Sequence, residues 1–317
     1  MQAPKYSVIV PVYNRPHEVQ ELLQSLTRQS YKNFEVLLVE DGSARTSREV
    51  YEQYASVLSI TYFFKPNSGP GPSRNFGFER ARGEYLVVFD SDCVIPETYF
   101  EEVEKFMQKE AVDAWGGPDR GRDDFTPLQQ AMAYTMASLF TTGGIRGGRK
   151  SGFQPRSFNM GISRKVYAQT HGFVFDRLAE DIELSIRIRK HGFNVALIPG
   201  AFVYHKRRTS LHDFFKQVSN FGKGRVLVGR AHPGEIKLTH WFPAFFTLGL
   251  CAVPVIALLF PKLGLLLVLG YISYFLLIAI HAFTRINSIR VALLSVPSAF
   301  IQLTGYGTSF LKQMFAR

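Results

Sequence analysis

Two aspartates follow a short apolar run in the segment YLVVFDSDCVIP, residues 85–96. When both are ionised, Asp90 and Asp92 repel each other unless a cation lies between them. Hard divalent ions such as Mg²⁺ or Mn²⁺ take oxygen ligands of this kind and commonly bridge to substrate phosphates. The alternative is structural, because aspartates are favoured helix caps and a helix is predicted to begin near Pro96. The residues alone leave both interpretations open.

Two further segments carry groups that suit a nucleotide. Asp41 ends an apolar run in VEDGS, residues 39–43. Its carboxylate could accept hydrogen bonds from a nucleobase or ribose, although Asp-Gly is also a common turn dipeptide. Arg74 lies in the first turn of a helix that follows the glycine- and proline-rich loop within residues 67–77. A helix N-terminus with a guanidinium forms a phosphate site, while loops of this composition also serve simply as turns.

Three candidates for chemistry lie in the second half of the polar region. Glu180 and Asp181 stand just before a helix predicted over residues 182–191, where a carboxylate could take a proton from a hydroxyl. Acids at the start of a helix also suit the helix dipole, and this explanation requires no chemistry. His205 follows a strand-like run and is either a metal ligand or a histidine with structural hydrogen bonds.

The elements that would position these residues alternate along the chain. Short apolar or β-branched runs followed by turn residues predict buried parallel strands at residues 7–13, 34–40, 60–64 and 85–89. Helical spacing predicts helices between them at residues 18–28, 73–81 and 97–109. This alternation predicts a doubly wound α/β sheet whose ligand site lies at the carboxyl ends of the strands.

The rest of the polar region continues this pattern. The glycine-rich stretch 143–152 predicts a mobile loop, and a strand is expected over residues 158–163. Short strands are expected around Val195 and Val203, and an amphipathic helix from Leu211. We therefore expect one catalytic domain over residues 1–209, followed by a basic amphipathic interfacial segment over residues 210–240.

The C-terminal region, residues 241–317, is apolar enough to enter a membrane. Residues 242–260 and 263–283 contain no Asp, Glu, Lys or Arg, and as helices they would be about 28 and 32 Å long, which matches a bilayer core. Residues 291–311 are diluted by glycine, proline and polar residues, so they predict a third span or an interfacial or re-entrant helix. The positive-inside tendency favours the interfacial or re-entrant alternative, because a third span would place Lys312 outside.

Charge and cysteine content limit the partners and the compartment. Residues 200–240 contain eight basic and two acidic residues, a net charge of +6 within a total of +11. Such a segment next to a membrane span predicts contact with anionic headgroups, with the apolar side chains of Phe214, Phe215, Val218 and Phe221 towards the bilayer. No nucleic-acid partner is needed to explain the charge. The N-terminus has too short an apolar stretch for a signal peptide, and two cysteines provide no disulfide framework, so we expect a cytoplasmic catalytic domain.

Taken in order, these segments resemble an inverting glycosyltransferase of family 2 with the GT-A fold. The resemblance covers residues 5–224, and the matching stretches are SVIVPVYNR, VEDGS, NSGPGPSRNFGFERARGEYLVVFDSD, FNMGISR, EDIELSIRIRKHGF and VYHKRRTSLHDFFKQ.

Each of these stretches corresponds to a role in that family. The first strand, with Pro11 and Tyr13, and the carboxylate of Asp41 would hold the nucleoside. Asp90 would contact the ribose, and Asp92 would hold Mg²⁺ or Mn²⁺ against the diphosphate of the donor. The resemblance further implies that His205 completes the metal site, that Arg74 binds the donor and that Asp181 is the catalytic base.

The implied reaction transfers a sugar from a nucleotide-diphosphate donor to a hydroxyl with inversion. A lipid-linked glycan in a bacterial-type inner membrane is the expected acceptor, since a water-soluble donor needs no anchor. Processive synthases of the family carry Gln-x-x-Arg-Trp, whereas here VSNFG follows Gln217, so transfer of one or a few sugars fits better. The alternatives are a polyprenyl-phosphate glycosyltransferase, a nucleotidyltransferase and a non-catalytic membrane scaffold.

Overall fold

A computed structural model describes residues 3–120, 125–142, 153–206 and 208–316. The predicted loop 143–152 lies outside these residues. In chain order the elements are β1 (Tyr6–Val12), α1 (Pro16–Thr27), β2 (Phe34–Asp41), α2 (Arg48–Tyr54), β3 (Ile60–Lys65), α3 (Pro70–Arg80), β4 (Tyr85–Phe89), β5 (Cys93–Val94), α4 (Tyr99–Met107), β6 (Ala114–Gly116), β7 (Asp119–Arg120), α5 (Pro127–Ala137), α6 (Leu139–Thr142), β8 (Asn159–Ser163), α7 (Arg164–Thr170), α8 (Glu180–Lys190), β9 (Val195–Leu197), β10 (Val203–His205), α9 (Leu211–Ala231), α10 (Leu238–Leu259), α11 (Pro261–Ile286) and α12 (Ile289–Phe315).

These elements form two compact units. Unit 1 consists of Met1–Arg120 and Lys150–Lys206, and unit 2 of Gly121–Arg149 and Arg207–Arg317. The segment with α5 and α6 therefore groups with the C-terminal helices, although it lies within the domain expected over residues 1–209. This grouping does not test whether either part folds independently, and the predicted domain boundaries stay a prediction.

Unit 1 is built on a seven-stranded sheet among the described residues, in the order β3-β2-β1-β4-β8-β6-β9. The first four strands are parallel, and β8 runs antiparallel to both of its neighbours. The predicted doubly wound α/β sheet is thus confirmed as a mostly parallel, mixed sheet. Side chains of β1 alternate between the two faces, with Val8 and Val10 in one apolar core and Ile9 in the other.

A second, small sheet has the order β5-β10-β7. Its strands are two or three residues long, and of the three only β10, expected around Val203, was predicted from the sequence. In this sheet His205 pairs with Cys93 across an antiparallel ladder. The sheet therefore joins the chain just after β4 to a strand more than a hundred residues later.

In unit 2, α10 and α11 form an antiparallel pair. Near the turn at Phe260, Gly264 packs against Ala257. Farther from the turn, the Tyr271 hydroxyl donates a hydrogen bond of 2.9 Å to the backbone oxygen of Phe246. The closed end of the pair is the turn at Phe260, and the open end contains the start of α10 and the end of α11.

Helix α12 crosses the open end of this pair. Only two residues separate its first residue from the last residue of α11. Towards its other end, Gly307 approaches the backbone of Pro243, and the ring of Phe310 lies 5.0 Å from that of Trp241, both near the start of α10. Both ends of α12 are therefore at the open end. The helix is continuous, so it contains no break at which a re-entrant segment would turn back.

Several of the polar residues and glycines that lower the hydropathy of α12 are buried against other helices. Ser295, Ser298 and Gln302 are buried. Gly305 lies against α9, and the Ser219 hydroxyl donates to its backbone oxygen at 3.3 Å. Small residues let helices approach closely, which explains why this segment has the lowest hydropathy of the three apolar helices.

The apolar face of α9 is covered mainly by protein. Phe214 and Val218 are buried in a cluster with Met132 and Met136 of α5. The expectation that both side chains point to the bilayer is wrong, because α5 and α12 pack on that face. Phe215 remains exposed.

Candidate active site

Asp92 lies just beyond β4, in a turn closed by a 3.1 Å hydrogen bond from the backbone amide of Cys93 to the backbone oxygen of Asp90. One carboxylate oxygen accepts a hydrogen bond from Arg15, and the other lies 3.1 Å from Nε2 of His205. Burial disfavours the ionised form, but the charges and hydrogen bonds of His205 and Arg15 outweigh it, so the pKa of Asp92 lies well below its usual value. Asp92 is therefore ionised at neutral pH.

The small sheet positions His205 for this contact. Its imidazole stacks on the ring of Phe158, with a centroid distance of 5.0 Å. Phe158 directly precedes β8, whose first residue, Asn159, pairs with Phe89 at the end of β4. Two sheets thus bring together Asp92 and His205, the two residues predicted to be metal ligands.

The donor atoms at this position fit a divalent cation. Ligand atoms of Asp92, Cys93 and His205 lie within 4.8 Å of one another. Burial raises the pKa of the Cys93 thiol well above its usual value. Its Sγ lies 3.5 Å from the backbone oxygen of Phe158, to which the thiol can donate. A protonated thiol is a poor ligand. The carboxylate of Asp92 and the imidazole of His205 are therefore the better candidates.

Arg74 joins the second aspartate to the start of α8. Its guanidinium donates to Asp90 at 2.8 Å and to Glu180 at 2.7 Å, and its side chain is only 3% exposed. Burial and the neighbouring Asp181 raise the pKa of Glu180, although Arg74 opposes this shift. Sequence analysis expected Arg74 at the donor, whereas the structure shows it enclosed by two carboxylates.

Asp181 is the more accessible acid of its pair. One carboxylate oxygen lies 3.6 Å from Nη1 of Arg156 and 3.4 Å from the amide of Ser157, and the side chain is 17% exposed. Ala179, which precedes the pair, has a positive φ of 58°, an uncommon conformation for a residue with a Cβ. Backbone strain of this kind often clusters at functional sites.

Asp41 ends β2 and fixes the loop that opens α3. Its carboxylate accepts hydrogen bonds from Nζ of Lys65 at 2.5 Å and from the amides of Ser68 and Gly69 at 2.9 Å each. Although burial opposes ionisation, these bonds lower the pKa of Asp41. In the structure Asp41 thus anchors the loop before α3, and its contact with a nucleoside stays a prediction.

The two predicted donor residues of the first strand differ in exposure. Pro11 lies within β1 and pairs with Val39 of β2. Tyr13 follows the strand and is 54% exposed, which leaves its ring free to contact a ligand. Both lie at the same edge of the sheet as Asp41, because β1 and β2 are parallel.

Two residues of this network had no role predicted from the sequence. Arg15 contacts the buried carboxylate of Asp92, and Arg156 lies near the more exposed carboxylate of Asp181. Arg15 lies two residues beyond the end of the predicted strand 7–13, so its position was a usable signal. No local pattern identifies Arg156, because its contact with Asp181 depends on the pairing of β8.

Known sequences match parts of this chain. The model of "Glycosyl transferase family 2" matches residues 7–170, about half of the chain. An uncharacterized glycosyltransferase of Rickettsia felis is 39% identical over 105 residues, which is 33% of this chain and 17% of that protein. The uncharacterized glycosyltransferase EpsJ of Bacillus subtilis is 25% identical over 219 residues, which is 66% of this chain and 63% of that protein. The chain thus spans less than two thirds of the length of either relative.

A solved structure shares the fold. Mannosyltransferase PcManGT from Pyrobaculum calidifontis, in complex with GDP-Man and Mn²⁺, superposes with a TM-score of 0.66 at 18% identity. The superposition covers 96% of this chain and 88% of that chain. With the family match and this likeness in fold, the chain belongs to glycosyltransferase family 2 and has the GT-A fold.

Proposed function

We propose that the protein transfers a sugar from a nucleotide-diphosphate donor to a hydroxyl of a lipid-linked glycan at a membrane, with inversion at the anomeric carbon. The observation that carries this proposal is the bridge through Arg74. Its guanidinium connects Asp90, two residues from Asp92, with Glu180, the neighbour of Asp181. Through Asp90 and Glu180, Arg74 therefore links the pair suited to a metal, Asp92 and His205, to the accessible carboxylate of Asp181.

In this proposal Asp92 and His205 hold Mg²⁺ or Mn²⁺. When bound, such a cation neutralises the negative charge that develops on the diphosphate leaving group. The imidazole nitrogen favours Mn²⁺ over the harder Mg²⁺, and PcManGT is described with Mn²⁺ and GDP-Man. Arg15 adds a second positive charge next to Asp92.

The donor would lie along the carboxyl ends of β1, β2 and β4. Tyr13 provides an exposed ring for the base, and Asp41 keeps the loop 67–69 in place through its amide contacts. Asp90 would contact the ribose, since one of its carboxylate oxygens is on Arg74 and its side chain is partly exposed. These assignments follow the family resemblance residue by residue.

Asp181 is the proposed general base. It accepts the proton of the acceptor hydroxyl, whose oxygen attacks the anomeric carbon from the face opposite the diphosphate. Glu180 is less suited to this task, because its carboxylate is buried and contacts Arg74 at 2.7 Å. A single displacement inverts the anomeric configuration.

We also propose that α10 and α11 cross a bacterial-type inner membrane and that α12 lies along its cytoplasmic side. The two helices of the pair are about 33 and 39 Å long, enough for a bilayer core of about 30 Å. Both ends of α12 lie at the open end of the pair, so the C-terminus returns to the side from which the chain entered.

The distribution of bases supports the same topology. Lys262, next to the closed end, is the only charged residue between residues 241 and 280. Arg285, Arg290 and Lys312 all belong to the ends of α11 and α12 near the open end. By the positive-inside tendency, this distribution supports the proposal that the open end and the catalytic part are cytoplasmic. A C-terminal alkaline phosphatase fusion active in the periplasm would overturn this topology.

Labelled nucleotide sugars test the reaction. Membranes containing the protein receive each donor with Mn²⁺, and the products are separated into organic and aqueous phases. We expect label in the organic phase, loss of transfer with chelator, and an inverted anomer by NMR. Label found only in water-soluble products, even with added lipid-linked acceptors, would refute the proposed acceptor. A retained configuration would refute the single displacement.

Binding is tested separately from turnover. Thermal unfolding of the purified protein is measured with a panel of nucleotide sugars and Mn²⁺, since a ligand stabilises the folded state by mass action. We expect stabilisation by one donor class that chelator abolishes. A protein stabilised by no nucleotide would instead fit a non-catalytic scaffold.

A further inference from the structure

The segment between α7 and α8, residues 171–179, contains no helix or strand and leads directly into the first turn of α8, which carries Asp181. His171, Gly172 and Ala179 have positive φ values of 56°, 76° and 58°, so left-handed residues stand at both ends of the segment. Neither a helix nor a sheet ladder fixes such a backbone. Its position, and with it the entry into α8, depends on contacts with neighbouring elements.

One residue of α3 bonds to both backbone groups of Phe173 in this segment. The Nδ2 of Asn75 donates to the backbone oxygen of Phe173 at 2.7 Å, and its Oδ1 accepts from the backbone amide of Phe173 at 2.8 Å. Among the side chains, only the carboxamides of Asn and Gln offer an N–H donor and a carbonyl acceptor side by side. Asn75 therefore provides the two hydrogen bonds that a neighbouring strand would provide in a sheet.

The surroundings of this carboxamide fit closely. A Cβ at Gly172 would lie 2.3 Å from Oδ1 of Asn75, so no larger residue fits there while Asn75 keeps its place. The side chain of Phe173 is 4% exposed and stacks on Phe78 of α3, with ring centroids 5.7 Å apart. Helix α3 thus holds Phe173 by its side chain through Phe78 and by its backbone through Asn75.

The start of α3 and the loop before it contact the next residues of the segment. The backbone amide of Gly71 donates to the backbone oxygen of Asp176 at 2.9 Å, and a Cβ at Gly71 would lie 2.1 Å from the backbone oxygen of Phe175. Arg177 donates a hydrogen bond to the side chain of Asn67. The two stretches therefore lie side by side and run in opposite directions, with the bonds of Asn75 to Phe173 at one end of the contact.

We propose that Asn75 is a positioning residue for Asp181. By fixing the backbone of Phe173, it sets where the segment enters α8 and where the carboxylate of Asp181 meets the acceptor hydroxyl. A misplacement of about 1 Å can cost about a hundredfold in rate, so this attachment matters for turnover. The role of Asp181 as the base rests on the proposed function, whereas the attachment of the segment by Asn75 does not.

Hydrogen exchange of the full chain in detergent tests the attachment without any ligand. In Asn75→Ala the backbone amide of Phe173 loses its acceptor. The amides of residues 173–179 should then exchange at least about fivefold faster, the factor expected from the net loss of one hydrogen bond. Asn75→Asp keeps the acceptor but loses the donor to the Phe173 oxygen, and it replaces Asn75→Ala if that variant does not purify.

Asn194→Ala is the matched control. The Nδ2 of Asn194 likewise donates to a backbone oxygen, that of Ala111. Asn194 precedes β9, which runs parallel to β4, so it lies at the opposite edge of the sheet from Asp90. This variant should leave the exchange of residues 173–179 unchanged. Unchanged exchange in Asn75→Ala, or an equal increase in both variants, would overturn the proposal.

Transfer from labelled UDP-sugars and GDP-sugars with Mn²⁺ tests whether Asn75 affects turnover. The rate at saturating donor should fall about 10- to 100-fold in Asn75→Ala, because the base is misplaced. The KM for the donor should stay within about twofold of the parent, and Asn194→Ala should match the parent in both quantities. A raised KM with an unchanged rate would overturn the positioning role.

A double variant tests whether Asn75 acts through Asp181. Once Asp181→Asn has removed the base, its position no longer affects the rate. Adding Asn75→Ala should therefore slow transfer no more than about twofold below that of Asp181→Asn alone. Losses that multiply would overturn the positioning role and leave the proposed base intact. Near-normal transfer by Asp181→Asn alone would refute the proposed base, and hydrogen exchange would still show whether Asn75 holds the segment.

Discussion

The two acid pairs of unit 1 look alike in the sequence but are held differently. Asp90 and Asp92 follow a strand, whereas Glu180 and Asp181 begin a helix. In each pair one member contacts Arg74, namely Asp90 in the first and Glu180 in the second. The other member lies among different partners: Asp92 contacts Arg15 and His205, and Asp181 lies near Arg156.

This difference shows that two neighbouring acids need not share a task. Arg74 is buried and neutralised by two carboxylates, so it connects the pairs and stabilises their geometry. Under the proposed function, Asp92 would bind the metal and Asp181 would accept the proton. Single substitutions can separate the members of each pair.

Asp181→Asn should lower kcat by about 10²- to 10⁴-fold, because the isosteric amide cannot accept the proton. The KM for the nucleotide sugar should change little. Steady-state kinetics with a labelled donor measure both constants. Glu180→Gln is the matched control within the pair. It should lower kcat less than Asp181→Asn does when both variants are folded to the same extent. A larger loss in Glu180→Gln would assign the base to Glu180 instead.

Arg74→Met should destabilise the protein by about 3–5 kcal/mol, since it leaves the carboxylates of Asp90 and Glu180 without their buried partner. Thermal unfolding in detergent measures the change. Arg74→Lys keeps the charge but loses the planar guanidinium, so its free energy of unfolding should lie between those of the parent and Arg74→Met. A loss below about 1 kcal/mol in Arg74→Met would mean that the bridge contributes no more than an exposed ion pair.

Asp92→Asn should weaken Mn²⁺ binding by at least about 10- to 100-fold, the loss that even a supporting residue of a metal site causes. Electron paramagnetic resonance of free Mn²⁺ measures this affinity. Asp90→Asn, two residues away, is the control and should change it far less. Equal losses in the two variants would indicate that both carboxylates bind the metal and that the contrast within the pair is wrong.

Asp41→Asn tests an acid outside both pairs and should cost about 1–2 kcal/mol at pH 7, because a charged acceptor of three hydrogen bonds is lost. The pKa of Asp41 is lowered from 3.8 in the folded state, so its ionised form stabilises the fold above that pH. The difference in Tm between parent and variant should thus stay constant from pH 6 to 8 and shrink below about pH 4. A difference that persists at pH 3 would contradict the charge explanation.

The sequence predicted most of the frame around these acids. The four parallel strands are clear apolar runs, and β1 to β4 lie within one residue of the predicted ranges. Helices α1, α3 and α4 were predicted, whereas the short helix α2 was not. The strands β5, β6 and β7 were not predicted, because strands of two or three residues show no clear period. The contact of His205 with Asp92 joins residues 113 apart, so only the pairing of β10 with β5 brings them together.

Local residue order determined which acids stand at strand and helix ends, which segments are apolar and which family the chain resembles, because these features depend on neighbouring residues. Tertiary structure alone decided that Arg74 lies between Asp90 and Glu180, a contact across 106 residues to the second acid. It also decided that the serines and glycines of α12 face helices, since hydropathy records how polar a residue is but not which neighbour covers it. The division of each acid pair depends on side-chain direction, which the folded backbone sets.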